Sequence, residues 1–214
     1  MPSVSPVNEM NLSVNDIATF ARVCTTPLDK CVGPLIEYSP EQYEKNVKLV
    51  KSLYKKGHLS VFEHAQMTFF VTCSRACSLQ LARHRHISRT EMSQRYVKFT
   101  GLQALKNLCE IPPEIKDNGD KELQYCLMLE QAFETYGRLT RAGVKPEDAR
   151  FLLPEATKTR MFLTLNLRTL LELRDKRMNN PGAQWEIREL VQQMWDRLPD
   201  ELKDCLTDEN NPAD

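Results

Sequence analysis

The chain has 214 residues, 41% of them hydrophobic, and its 29 basic residues are balanced by 29 acidic ones. That length suits one buried core, as a single domain or two lobes, and the lack of net charge argues against the broad basic face that duplex nucleic acid demands. No apolar run approaches the roughly 20 residues needed to cross a bilayer, the start does not resemble a signal peptide, and the seven scattered cysteines, Cys24, Cys31, Cys73, Cys77, Cys109, Cys126 and Cys205, suit buried reduced thiols of a cytoplasmic protein.

The first dozen residues and the acidic stretch Asp208 to Asp214 are expected to fray. A first helix starts near Ser13 or Asn15, with Ile17, Phe20 and Ala21 as its apolar stripe. Ser39 caps a second, Pro40 occupies its first position, and Gly57 stops it. Ala65 to Thr72, aromatic and β-branched, predicts a strand. Ser74 then caps a helix that leads into the run from Arg83 to Arg95. Thr100 to Asp120, with Pro112 and Pro113, is a connector. A long helix follows over Lys121 to Arg141, ended by Gly143, and Pro146 opens a short helix through Leu153. Thr159 to Leu165 predicts a second strand, and helices follow over Asn166 to Arg177 and Ala183 to Leu198. The fold class is α+β, a small antiparallel sheet flanked by helices.

The run Arg83-His-Arg-His-Ile-Ser-Arg-Thr-Glu-Met-Ser-Gln-Arg95 sets four arginines and two histidines against one carboxylate, Glu91. A local excess of permanently charged, planar guanidinium groups in a neutral protein predicts a phosphate or carboxylate site. Ser88, Thr90, Ser93 and Gln94 add neutral polar contacts, so the expected ligand is a small anion such as a nucleotide. The bland reading is a solvated basic loop; the preceding apolar strand and helix, which hold the run at a cleft, argue against it. A second basic set, Arg150, Arg160, Arg168, Arg174 and Arg177, lies late in the chain, with Arg174 and Arg177 expected to share a helix face. For helix arginines, solvation is the ordinary alternative.

His58-Leu-Ser-Val-Phe-Glu-His64 places its histidines six apart, not the four that a helical zinc motif needs, and no metal is expected. Ser60 and Glu63 read instead as hydrogen-bonding groups of a polar pocket, and His64 equally as a satisfied core histidine. Cys73 and Cys77 lack the redox spacing, no thiol has a setting that would activate it, and no glycine-rich phosphate loop occurs. Any nucleotide must then be held by side chains.

Arg83-His-Arg85, seven residues and Ser93 together resemble the signature of the flavin-dependent thymidylate synthases. The chain is similar to that family also at His58-x-Ser-x-Phe-Glu-His64, Gln80, Glu91 to Tyr96, Ala149-Arg150, Asn166-x-Arg168 and Gln184 to Arg188, in family order from about residue 15 to 195. The resemblance implies a homotetramer with FAD and nucleotide at subunit interfaces. It implies methylation of dUMP to dTMP, with 5,10-methylenetetrahydrofolate as carbon donor and NADPH as reductant of the flavin. Reduced flavin then supplies the hydride, consistent with the missing reactive thiol.

Carried over by position, Arg83, His84 and Arg85 meet FAD, with His58, Ser60, Glu63, Glu91, Asn166, Arg168 and Glu172 on the cofactor side. Gln80, Arg83, Glu91, Met92, Ser93, Gln94, Arg95 and Arg150 meet dUMP. Arg177 lies against the uracil and favours ionisation at N3, as a guanidinium in a dry pocket can. Ser93 binds and does not attack, since no base activates it. Three departures stand out: Cys24 where serine is common, Glu172 where asparagine or histidine is usual, and a loop Met178 to Gly182 one residue long for the family. That loop leaves Arg174 as the alternative uracil-facing arginine. Two other functions stay open, a relative acting on another pyrimidine nucleotide such as UMP or leaving a hydroxymethyl group, and a degenerate nucleotide-binding homologue.

Overall fold

The computed structural model describes residues 1–29, 39–99 and 105–207, so Cys31 and the stretch Asp208 to Asp214 lie outside the described residues. In chain order the elements are β1 (Ser3–Pro6), α1 (Val14–Arg22), α2 (Pro40–Lys55), a 3-10 turn over Leu59–Glu63, β2 (Gln66–Ser74), α3 (Arg75–Leu81) and β3 (Ile87–Glu91). Then come α4 (Leu105–Leu108), α5 (Gly119–Arg141), α6 (Pro146–Ala149), a 3-10 turn over Arg150–Leu152 and β4 (Lys158–Asn166). The last are α7 (Leu167–Leu173), a π-helical turn over Arg174–Met178, α8 (Trp185–Asp196) and α9 (Asp200–Leu206).

The strands form one sheet in the order β1-β2-β4-β3. The Val7 amide donates to the Thr68 carbonyl at 2.8 Å and the Asn11 amide to the Gln66 carbonyl at 3.4 Å, so β1 and β2 run in opposite senses. The Thr68 and Thr164 hydroxyls lie 2.9 Å apart and the Phe70 and Phe162 rings 5.2 Å apart, which makes β2 and β4 antiparallel as well. Along β2, Met67, Phe69, Val71 and Cys73 are buried while Thr68, Phe70 and Thr72 are half-exposed, and β4 buries Thr159, Met161, Leu163 and Leu165. The period of two is the pleat expressed as burial. The architecture is α+β, as expected.

Contact density divides the chain into two compact units, the first comprising Met1–Val4, Phe70–Arg85 and Arg89–Phe162, the second Ser5–Phe69, His86–Ser88 and Leu163–Asp214. Cys73, Cys77, Leu81, Cys109, Leu129, Tyr136 and Met161 fill the core of the first. There the chain's start is not frayed, contrary to its composition. Val4 is 3% exposed, and the Met1 amino group sits 2.7 Å from Glu110, which also faces Lys158 at 3.3 Å. The Pro/Ser-bearing sequence hid a strand because strand pairing satisfies the main chain whatever the side chains.

In the second unit, Ser13 and Asp16 close a capping box at the start of α1. Ser39 accepts from the Gln42 amide to cap α2, and Gly57 leaves that helix at φ +72°. Asn46, fully buried, accepts from Arg22 and Gln42 and donates to Asn15 at 2.8 Å, which fastens α2 to α1. The α9 helix, which no sequence signal announced, buries Leu202, Cys205 and Leu206, and the Tyr43 hydroxyl donates to Glu201 at 3.0 Å to tie it to α2.

Two further expectations change. The third helix ends at Leu81 and does not enter the Arg/His run; His86 takes φ +63° and β3 follows. The expected helix Asn166 to Arg177 is α7, capped by Asn166, followed by a π turn in which the Asn179 amide reaches the Arg174 carbonyl at 2.9 Å. An i to i+5 turn is wider than an α turn; within it Arg174 is buried while Arg177 is half-buried.

Candidate active site

In the first unit the sequence Cys73-Ser-Arg-Ala-Cys77 is the junction of β2 and α3. Ser74 Oγ accepts from the Cys77 amide at 3.0 Å, and the Arg75 and Ala76 amides donate to the Thr157 and Glu155 carbonyls at 2.9 and 3.1 Å. The helix start is thereby fixed to the segment that leads into β4, and Arg75 with it. Glu91 Oε1 accepts from Arg75 at 2.8 Å, from Ser78 at 2.8 Å and from Thr159 at 2.9 Å, and Oε2 lies 3.6 Å from Arg89. A carboxylate so surrounded holds its neighbours in place by charge-assisted bonds.

Beside this hub, Arg75, Gln94, Arg150, Phe151, Leu153, Pro154 and Glu155 line a cavity of about 320 Å³. Two guanidiniums against one exposed carboxylate, with the nearly buried Gln94 amide also in the lining, leave it basic. The structure thus brings together Gln94 and Arg150, 56 residues apart in the sequence, and adds Arg75, which sequence reasoning missed. The signal was present: Arg75 is the first helical residue after the Ser74 cap.

Gln80, Met92, Ser93 and Arg95 belong to the same unit but are not among the residues that line the cavity. Gln80, Met92 and Ser93 are half-buried. Ser93 Oγ accepts from the Arg95 amide at 3.2 Å, and the Arg95 guanidinium pairs with Glu147 at 3.0 Å. Arg83 and Arg85 are exposed, and among the described residues neither guanidinium has an ion-pair partner. His84 between them is half-buried.

The remaining expected residues fall in the second unit. Glu63 Oε1 lies 2.5 Å from Arg168 Nη1, Glu172 Oε1 3.7 Å from Arg168 Nε, and Glu172 Oε2 3.5 Å from Lys176. Arg168 is therefore shared by two carboxylates on the side chain's two edges. His58 and Ser60 are exposed at the 3-10 turn. His64 is exposed too, its ring 5.0 Å from that of Phe20, so the core-histidine reading is wrong: the turn over Leu59–Glu63 sends Phe62 inward instead. Arg174 is 1% exposed, with its guanidinium engaged by Leu206 and Tyr54, whereas Arg177 is half-buried.

Two of the buried thiols are poorly suited to nucleophilic chemistry. Burial pushes the Cys109 thiol up to about 12 and the Cys205 thiol up to about 11, and a thiol that stays protonated is a poor nucleophile. Cys24 is exposed, against the expectation that the cysteines are buried.

A family model described as thymidylate synthase complementing protein matches residues 7–202. The chain belongs to that family, the flavin-dependent thymidylate synthases. A flavin-dependent thymidylate synthase from Haloarcula marismortui is 37% identical over 179 residues, spanning 73% of this chain and 72% of its own. Another, from Halobacterium salinarum, is 36% identical over 193 residues, spanning 80% and 77%. Among solved structures, the UMP/dUMP methylase PolB from Streptomyces cacaoi, bound with 5-Br dUMP, superposes with a TM-score of 0.77 at 26% identity, covering 96% of this chain and 94% of that one. Thymidylate synthase X from Helicobacter pylori, with FAD and dUMP, gives a TM-score of 0.72 at 22% identity over 97% and 100%, a likeness of fold. No described helix is long and apolar enough to cross a membrane.

Proposed function

We propose that this member of the flavin-dependent thymidylate synthases methylates dUMP to dTMP, with FAD as cofactor, 5,10-methylenetetrahydrofolate as carbon donor and NADPH as reductant. The observation that carries this reading is the basic cavity of Arg75, Gln94 and Arg150, beside Glu91 of the signature run in a chain of this family. A nucleotide monophosphate suits it: two guanidiniums give forked donors to a dianionic phosphate. Glu91 serves here by orienting Arg75, while Gln80, Met92, Ser93 and Arg95 contribute to the base and sugar. Arg177 is assigned as the uracil-facing group by its position in the family pattern, while Arg174 is buried and engaged by Leu206 and Tyr54.

The donor chemistry fits FAD as well. Arg83 and Arg85 are exposed cations without ion-pair partners among the described residues, which an anionic dinucleotide would neutralise, and His84 stands between them. His58, Ser60, Glu63, Asn166 and Arg168 are assigned to FAD by their positions in the family pattern, with Glu172 opposing it through Arg168. The bound flavin supplies the redox chemistry; the residues of this chain bind, orient and polarise. A homotetramer and a cytoplasmic setting complete the reading.

UMP is the second substrate to consider, because the PolB methylase that superposes on this chain is described as acting on both UMP and dUMP. The deciding experiment measures tritium release from position-5-labelled dUMP, and from labelled UMP, with FAD, NADPH and methylenetetrahydrofolate added or withheld. Release from dUMP that needs all three, with a product mass higher by one CH2 unit as a methyl replaces the released hydrogen, is the expected result. Release from neither nucleotide would overturn the reading.

A further inference from the structure

Among the described residues, Arg174 heads the fully buried side chains by size, at 1% exposed. Its Nη1 donates to the Leu206 carbonyl at 2.8 Å and its Nη2 to the Tyr54 hydroxyl at 2.5 Å, while Nε lies 3.4 Å from the exposed carboxylate of Asp175. The guanidinium carbon stands 4.6 Å from the centroid of the Trp195 indole and 5.8 Å from that of the Tyr54 ring. One residue thus fastens the start of the π turn to the end of α9, to α2 and to α8.

Taking the Arg174 cation out of water is costly, and an apolar side chain of similar volume often packs at no greater cost. What the arginine provides is a fixed geometry. Its planar fork reaches two acceptors in defined directions while its face stacks on an aromatic ring, which neither methionine nor lysine can do. The geometry fixed is the wide turn Arg174–Met178, the segment that carries Arg177. Its exit is held in a similar way: Arg188 Nη2 donates to the Pro181 carbonyl at 2.7 Å and the Ala183 carbonyl at 2.8 Å. Between those two anchored arginines lies the stretch that presents Arg177.

We propose that Arg174 is a positioning residue for the methylation assigned above: by clamping the π turn to α2, α8 and α9, it sets the direction in which Arg177 meets the pyrimidine. The proposal rests on the reading that dUMP is the substrate and Arg177 the group against its base. Arg174 touches no ligand in this scheme and acts through the turn alone.

The test compares wild-type protein with Arg177→Met, Arg174→Met, Arg174→Lys and Tyr54→Phe, each checked for flavin absorbance and for a melting transition above the assay temperature. Two properties are read: the ultraviolet titration of bound dUMP, which reports ionisation at N3, and the kcat and KM for dUMP. In wild-type protein bound dUMP ionises at lower pH than free dUMP, and Arg177→Met removes that shift. Arg174→Met should remove most of it and lower kcat about tenfold, with KM changed less than about threefold. Arg174→Lys and Tyr54→Phe, which keep the charge or the ring but break one arm of the clamp, should fall in between. A folded Arg174→Met with the wild-type titration and kcat would overturn the proposal; if that variant does not fold, wild-type values in Arg174→Lys and Tyr54→Phe would do so. No shift in wild-type protein, or a full shift in Arg177→Met, would overturn the reading of the site and this proposal with it.

Discussion

Arg75 and Glu91, 16 residues apart, meet at 2.8 Å across the junction of α3 and β3, with the Ser78 and Thr159 hydroxyls donating to the same carboxylate oxygen. Glu91→Gln keeps the shape and removes the charge on which these bonds depend. Hydrogen bonds to a charged group contribute about 1.5–3 kcal/mol, so the variant should lose ~1–3 kcal/mol of stability in urea denaturation. It should also bind dUMP several-fold more weakly, since Arg75 loses its anchor; unchanged stability and affinity would count against the hub.

Arg150 offers a direct test of the proposed phosphate subsite. Arg150→Ala should weaken dUMP binding about 10- to 100-fold, the equivalent of one or two charge-assisted contacts. Deoxyuridine, which has no phosphate, should bind equally to both proteins. Calorimetric titration with the two ligands separates these outcomes, and an equal loss for both would place the effect on the fold.

Glu172 is 46% exposed and lies 3.7 Å from Arg168. Removing its charge by Glu172→Gln relieves Arg168 of the more distant of its two carboxylates, Glu63 remaining at 2.5 Å, and so favours an anionic cofactor. Exposed pairs contribute ~0.2–1 kcal/mol, so FAD should bind up to about 5-fold more tightly, and the gain should shrink as salt is added. Fluorescence quenching of FAD at two ionic strengths measures both.

The thiols should sort by exposure. At pH 8 a thiol whose pKa is pushed up to about 12, as burial does to Cys109, is thiolate in only about one molecule in ten thousand. Exposed Cys24 should therefore react with a disulfide reagent in the native state, and Cys24→Ser should abolish that fast reaction at this position. Cys109 and Cys205 should react only on unfolding, as peptide mass mapping would show.

Much of the local structure was legible in the sequence, because it depends on neighbours a few residues apart. Ser13, Ser39, Ser74 and Asn166 cap helices from within their own turns, the alternation in β2 and β4 follows the pleat, and Gly57 and Gly143 mark helix ends by taking positive φ. The density of arginine in the signature run raised the expectation of an anion site without any fold, but the guanidiniums that line the cavity, Arg75 and Arg150, lie outside that run. Tertiary structure decided the rest. β1 and β3 exist because long-range partners complete their main-chain hydrogen bonds, and α9 because Leu202, Cys205 and Leu206 find a buried face. Which arginine is buried and which is presented depends on a carbonyl, a phenol and an indole drawn from three distant helices. Charge and spacing name the candidate residues; desolvation, which is a property of everything packed around them, determines what each one can do.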